Sequence, residues 1–314
     1  MTDTKLDARG ESPVRAKRLS STALFDLLGD PTVTDVLVNG PGQVWREREG
    51  RLEQTGLWLR RSDIDAAIEQ LLAASGRRVD RTSPIVDARL ADGSRLSVVL
   101  PPIAVDGPCL SIRRFTVQGR ELADFTTPNV GARLIEAVVR RMNIVVSGPT
   151  GVGKTSLLNA LAAHIDPSDR IVTIEDAAEL ALPGGHVVRL ESRGPSTEGG
   201  GRVTTADLVR TALRLRPDRI IVGECRGPEA HDMIQVMHTG HRGSLTTVHA
   251  NSPRDAIERL AVLAASAGHG LGIDVARAQL SSAVELVVHL ARGVGGTRRI
   301  EFIEELGADG GTGR

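Results

Sequence analysis

Gly148-Pro-Thr-Gly-Val-Gly153-Lys154-Thr155 fits the phosphate-loop pattern G-x-x-x-x-G-K-[ST]. Met142 to Ser147 (MNIVVS), just before it, reads as a buried parallel strand, and Thr155 to His164 (TSLLNALAAH), just after it, reads as a helix. The loop therefore falls where a strand turns into a helix, with its backbone N–H groups and the helix N-terminus facing an anion. Lys5, Lys17 and Lys154 are the only lysines among 39 basic residues, which leaves 36 arginines. A chain that otherwise uses arginine has kept one lysine in its body, inside this loop. Lysine is a compact point charge able to enter a tight backbone loop, whereas arginine is a broad planar fork. The pattern assigns Gly148, Pro149, Thr150, Gly151, Val152, Gly153, Lys154, Thr155 and Ser156 to nucleotide phosphates, with the Thr155 hydroxyl placed to ligate Mg²⁺.

From Val130 onward, helical and buried-strand patterns alternate. The expected helices are 130–141, 155–164, 205–215, 228–238 and 253–265, and the expected strands are 142–147, 170–175, 219–223 and 244–248. Strands near Ala283 to His289 and Arg298 to Ile303 should close this domain. The pattern predicts an α/β fold with a parallel sheet covered on both faces, interrupted by a mobile loop from Ser192 to Arg202. Ahead of it, residues 20–115 mix helices (Ala23 to Leu28, Ser62 to Ala74) with strands (Val33 to Val38, Val44 to Arg48, Ile85 to Arg89, Ser94 to Leu100, Leu110 to Arg113). They predict a smaller N-terminal α+β, PAS-like domain with mainly antiparallel pairing. A disordered leader (1–19), an interdomain linker (116–129), the second domain (130–305) and a flexible tail (306–314) complete the expected organisation.

Composition narrows the partners. The formal net charge is zero, so no dominant positive field exists to hold a nucleic-acid duplex. Six aromatic residues (Phe25, Trp45, Trp58, Phe115, Phe125, Phe302) cannot make base stacking the main means of recognition. Cys109 and Cys225 form neither a disulfide scaffold nor a zinc site. No apolar run approaches about 20 residues, and the start of the chain has no signal-peptide hydrophobic region. Cytoplasmic residence is expected.

In open parallel sheets, ligands sit at the carboxyl ends of the strands. Ile171-Val-Thr-Ile-Glu175-Asp176 ends in two carboxylates. Arg219-Ile-Ile-Val-Gly223-Glu224 resembles a Walker B strand with Gly223 where an aspartate is expected. Thr239-Gly-His241-Arg-Gly-Ser-Leu-Thr246-Thr-Val-His249-Ala-Asn251 brackets a strand with histidines. Phosphoryl transfer needs a metal-bound triphosphate, a carboxylate for the attacking water and polar groups that report the γ-phosphate; this sheet offers each type.

Taken together these segments resemble the ATPases of type II and type IV secretion systems, and most closely the CpaF/TadA branch that drives Tad pilus assembly. Asp35-Val-Leu-Val-Asn39-Gly40, Asp87-Ala-Arg89-Leu-Ala-Asp92-Gly93-Ser-Arg95 and Asp106-Gly-Pro-Cys-Leu-Ser-Ile-Arg113 look like that branch's N-terminal domain. Glu175-Asp176-Ala-Ala-Glu179-Leu180 looks like its Asp box, Leu213-Arg-Leu-Arg216-Pro217-Asp218-Arg219 like its approach to Walker B, and His241 to Asn251 like its His box. The resemblance implies a RecA-like core, a hexamer, and ATP bound with Mg²⁺ between the two domains. It also implies arginines of the N-terminal domain near the phosphates, a role carried to Arg95 and Arg113 and less firmly to Arg89. Glu175 and Glu224 would serve water and metal, with the division between them open, and His241 and His249 would sense the γ-phosphate. The implied partner is an inner-membrane platform protein of a pilus or secretion machine, reached peripherally at the inner face of the membrane. Two other readings stand beside this one: a nucleotide-gated regulatory scaffold without turnover, and a RecA-like DNA motor.

Overall fold

A computed structural model describes residues 17–18, 21–48, 50–73, 75–114, 120–194, 200–268, 270–293 and 297–306. The expected leader up to residue 16, residues 115–119 of the domain junction, 195–199 of the expected mobile loop and the tail from 307 lie outside the described residues. The chain divides into two compact units, Met1–Thr116 and Val117–Arg314.

The first unit is α+β. Its elements are β1 (Lys17–Arg18), α1 (Ser21–Gly29), β2 (Val33–Asn39), β3 (Gly42–Arg48), β4 (Arg51–Leu59), α2 (Arg61–Ala73), β5 (Ile85–Arg89), β6 (Arg95–Val99) and β7 (Cys109–Arg113). They make one sheet in the order β1-β4-β3-β2-β7-β6-β5, antiparallel except for the β1–β4 pair. Alternation along the strands sends Val36, Val38, Leu96, Val98, Leu110 and Ile112 into a core shared with Leu24, Ile64, Ile68 and Leu71 of the helices. β4 has no counterpart among the expected strands. Its exposed positions mix polar and apolar residues (Arg51, Leu52, Gln54, Trp58), and only Leu57 and Leu59 are buried, so hydropathy shows no clean alternation there.

The second unit is a doubly wound α/β core of the RecA-like P-loop type. Its elements are α3 (Pro128–Val139), β8 (Ile144–Gly148), α4 (Lys154–Ala162), β9 (Ile171–Glu175), β10 (Val187–Glu191), α5 (Thr205–Ala212), β11 (Arg219–Val222), α6 (Glu229–His238), β12 (Leu245–His249), α7 (Pro253–Ala265), α8 (Ile273–Ala283), β13 (Leu286–Arg292) and β14 (Arg298–Glu305). The sheet runs β10-β9-β11-β12-β8-β13-β14, with every pair parallel except β13–β14. β8, β9 and β11 are buried at every position, as strands covered on both faces must be. One core lies on each face, built around Val145, Val172, Ile220 and Val287 on one side and Ile144, Val146, Ile221 and Val288 on the other. Each such side chain contributes about 1.5–3 kcal/mol by leaving water.

Two further elements depart from expectation, and one stretch serves a different purpose. β10 is an edge strand that is only half-buried, and α8 follows α7 where no helix was expected. Part of the stretch expected to link the domains belongs to the second core: Leu122 and Phe125 are 6% and 2% exposed, and Ile300 N–H donates to the Phe125 carbonyl at 2.9 Å.

Below the sheet, Arg219 is 1% exposed yet fully engaged. Its Nε donates to Asp169 Oδ2 at 2.7 Å and its Nη1 to the Val138 carbonyl at 2.9 Å, while Arg141 pairs with the other oxygen of Asp169. A buried charge needs this degree of compensation.

Candidate functional site

The phosphate loop is shaped by glycine. Gly148, Gly151 and Gly153 have φ of +148°, +73° and +92°, in the region where side chains are strained. Space forbids a side chain as well: a methyl on Gly148 would stand 2.5 Å from the Leu290 carbonyl oxygen and 2.9 Å from Val152. Lys154 opens α4 and is 6% exposed. Its Nζ donates to the carbonyls of Gly148 and Pro149, each at 3.0 Å, and lies 2.9 Å from His249 Nδ1. Burial lowers its pKa to about 8, against the opposing pull of Glu224. Pro149 and Thr150 are exposed at the bend, Val152 is buried beneath it, and Thr155 and Ser156 follow in the first turn of α4.

His249 ends β12 in register with Gly148, which carries its ring to the lysine. Its Nε2 is 2.8 Å from Glu224 Oε1, an ion-pair distance outside hydrogen-bond alignment, so this buried oxygen has no hydrogen-bond partner among the described residues. Burial holds the His249 ring below its ordinary value; Glu224 pulls the other way, and Lys154 and Arg226 push with burial. Glu224 Oε2 accepts from Arg226 Nη2 at 2.8 Å, and Arg226 Nη1 lies 4.0 Å from Asp176. Asp176 Oδ1 in turn accepts from Ser192 and Thr205 at 3.0 and 2.9 Å. One polar chain thus runs from Lys154 through His249, Glu224 and Arg226 to Asp176.

Glu175 stands apart from this chain. It is 4% exposed at the end of β9, and its Oε1 accepts the backbone N–H groups of Glu179 and Leu180 at 2.9 and 3.0 Å. Burial raises its pKa to about 7 in spite of those bonds. Gly223 explains the missing Walker B aspartate: a methyl there would lie 2.8 Å from Glu175 Cγ, so the Glu175 side chain fills the space.

His241 does not join the site within its own unit. β12 runs from Leu245, paired with Ile144, to His249, paired with Gly148. Lys154 is at the end of that ladder, and His241 lies four residues before its start. There its carbonyl accepts from Ser244 Oγ at 2.8 Å, while Gly243 and Ser244 N–H donate to Asn143 Oδ1 at the head of β8. The two histidines expected to sense the γ-phosphate therefore stand at opposite ends of β12, and within this unit it is His249 that lies beside Lys154.

In the first unit, Arg95 is paired directly with Arg89 on β5 and with Arg113 on β7, and Arg113 with Asp35 on β2. Residues opposite one another share a face, so three arginines stand in a row on the side of the sheet away from its helices.

Two arginines at the loop carried no sequence signal. Arg292 Nη2 donates to the Gly151 carbonyl at 3.2 Å, and Arg298 lies against Gly153. They come from the β13–β14 hairpin, about 140 residues downstream of the loop, outside any motif.

The glycine cradle and the buried lysine suit a polyphosphate. For Mg²⁺, the buried Glu224 Oε1, which makes an ion-pair contact with His249 but no hydrogen bond among the described residues, and the Thr155 hydroxyl at the head of α4 are oxygen donors of the required kind. Among the described residues no three His, Cys, Asp or Glu side chains gather as a metal cage, so such an ion would be held jointly with phosphate oxygens.

Residues 18–306 match the family described as type II/IV secretion system protein. The chain belongs to that family. It is 39% identical over 295 residues to a Mycobacterium tuberculosis (strain ATCC 25618 / H37Rv) protein named for conjugal transfer, covering 90% of this chain and 83% of the relative. It is 35% identical over 306 residues to the type IV secretion system protein VirB11 of Brucella suis biovar 1, covering 85% and 83%. The crystal structure of the VirB11 ATPase from the Brucella suis type IV secretion system, solved with sulphate, aligns over 90% of this chain and 92% of its own, at 31% identity and a TM-score of 0.52. The Legionella pneumophila ATPase DotB shares the fold at a TM-score of 0.62 and 21% identity, over 95% and 84%.

Proposed function

We infer that the chain is a Mg²⁺-dependent ATPase that works as a ring-shaped, hexameric motor for a type IV-like secretion, conjugation or pilus machine. The observation that carries this reading is the junction of Lys154, His249 and Glu224 at the ends of β8, β12 and β11. A lysine for phosphate, a carboxylate and a polar reporter between them meet at the edge where open sheets bind ligands. Family membership supports it independently.

In this reading Lys154 exchanges the Gly148 and Pro149 carbonyls for phosphate oxygens. Glu175, with its pKa near neutrality and its carboxylate fixed by two N–H groups, accepts the proton of the attacking water. Thr155 and Glu224 are the residues to hold magnesium, which when bound would neutralise charge between the phosphates. His249 touches both Lys154 and Glu224 and so is placed to feel loss of the γ-phosphate. The arginine row Arg89–Arg95–Arg113 is a second source of positive charge for the nucleotide. The Tad branch, an inner-membrane platform partner and peripheral attachment at the cytoplasmic face belong to the same proposal; among the described residues no helix is long and apolar enough to cross a membrane.

The test is steady-state phosphate release with ATP and Mg²⁺ by the purified chain and by Lys154→Ala. Turnover by the parent with at least a 100-fold loss in the variant is expected. Equal rates overturn the site. ATP binding without turnover under any partner or membrane condition would make the chain a nucleotide-gated scaffold, and DNA-stimulated hydrolysis would make it a DNA motor.

A further inference from the structure

β13 outruns its neighbour. It pairs with β8 in parallel from Leu286 opposite Ile144 to His289 opposite Ser147, and Leu290 to Arg292 then continue beside the phosphate loop. The Leu290 carbonyl is packed on Gly148, and two residues further on Arg292 Nη2 donates to the Gly151 carbonyl at 3.2 Å. The chain turns back, and Arg298 opens β14 directly opposite Arg292. Arg298 lies across Gly153: a methyl there would stand 3.1 Å from its Cδ and 3.4 Å from its Nη1, with the ring of buried Phe125 at 3.5 Å. The Ile300–Phe125 backbone bond fixes the start of β14 at this spot.

Like charges directly opposite one another across an antiparallel ladder are unfavourable. These two stand, moreover, beside Lys154 and the positive end of α4. Such an accumulation is favourable around a polyanion. Arg292 is exposed, and its bond to a neutral carbonyl is of the kind that a phosphate oxygen replaces with a stronger one. The two guanidinium groups thus cover Gly151 and Gly153 of the phosphate loop itself.

We propose that Arg292 and Arg298 are nucleotide-binding residues that grip the polyphosphate from the side of the loop opposite His249, supplied by the same chain as the loop itself. The inference rests on the ATPase reading and adds a cis arginine pair to it, distinct from the arginine row of the first unit.

The experiment is equilibrium binding of a fluorescent ADP analogue by anisotropy, which needs no turnover. Arg292→Ala/Arg298→Ala should weaken binding at least tenfold, with the thermal midpoint of the nucleotide-free protein unchanged. The loss should shrink as salt is raised from about 50 mM to about 0.5 M, because a charge contact is screened. Arg299→Ala is the control. It removes one arginine charge from the same hairpin, as each single substitution of the pair does, but from a position whose side chain leaves the strand on the other face, and it should bind like the parent. If the double alanine variant does not fold, Arg292→Gln and Arg298→Gln taken singly are to show the same salt-dependent loss. Parent-like affinity in the arginine variants, an equal loss in Arg299→Ala, or a loss insensitive to salt overturns the pair. A parent protein that does not bind ADP overturns the ATPase reading itself.

Discussion

The side chain of Glu175 occupies the space above the α-carbon of Gly223, where a methyl group would come within 2.8 Å of its Cγ. The glycine is therefore a seat for the carboxylate of the neighbouring strand. Gly223→Ala should displace Glu175 from the Glu179 and Leu180 N–H groups, costing about 1–3 kcal/mol of stability in denaturant melts. Turnover should fall by more than the loss of folded protein accounts for. Gly223→Asp, which restores the common Walker B residue, should be worse because it also sets a second carboxylate against the first. Parent-like melting in Gly223→Ala would show that the contact yields without cost.

Glu175 titrates near 7 because burial raises it from its ordinary 4.5. A proton acceptor must be ionised to act, so kcat should climb as pH rises through about 7 and level off above about 8. Stability runs the other way. Between 4.5 and 7 the folded state holds a proton that the unfolded state has released, so raising pH across that window removes stability, at most about 3 kcal/mol. Glu175→Gln should abolish the kinetic limb and make the variant more stable than the parent at pH 8 but not at pH 4. Chemical denaturation at the two pH values, with a pH–rate profile, checks both halves.

Lys154 is held in a space sized for an ammonium, 6% exposed between two carbonyls and an imidazole. Lys154→Arg keeps the charge but not the shape. It should lose nucleotide affinity nearly as completely as Lys154→Ala, measured by calorimetry with ADP. Retention of even a tenth of the parent's affinity would mean that charge alone suffices.

Breaking the pair beneath the sheet should act on folding and leave the site chemistry intact. Asp169→Asn strips the negative partner from Arg219, which is 1% exposed, and uncompensated buried charge costs about 3–5 kcal/mol. The midpoint of urea unfolding should drop accordingly, while ADP affinity at low temperature stays that of the parent. A drop of less than about 1 kcal/mol would mean that the Val138 carbonyl suffices to hold the guanidinium.

Much of this was legible in the residues. The phosphate loop, the strands ending in Glu175 and Gly223, and the strand before His249 announced themselves, because fully buried strands are continuous apolar runs bounded by turn residues. β4 and β10 did not, since a strand with one wet face or a free edge carries charges such as Arg51, Glu53 and Arg189 that blur its period. The polar chain from Lys154 to Asp176 was only partly visible: every member but Arg226 sits in a recognisable motif, but which of them touch depends on strand order, which places β12 between β8 and β11. Arg292 and Arg298 gave no signal at all, because a hairpin brings them to the loop from far along the chain.

The two histidines of the His box should separate in function as they do in space. His249 bridges Lys154 and Glu224 at 2.9 and 2.8 Å, so His249→Ala removes a side chain that touches both and should cut kcat by at least tenfold with a change in the Mg²⁺ requirement. His241 sits at the far end of β12, with its Nδ1 buried and without a hydrogen-bond partner among the described residues. His241→Ala should leave ADP binding to a single chain unaltered. If its turnover also falls, the loss should appear only under conditions where the protein assembles, since the sheet puts this ring out of reach of its own phosphate loop. Measuring ADP affinity and ATP turnover at protein concentrations below and above assembly, with light scattering to mark the transition, distinguishes the cases. A loss of ADP affinity in dilute His241→Ala would contradict the separation of the two histidines.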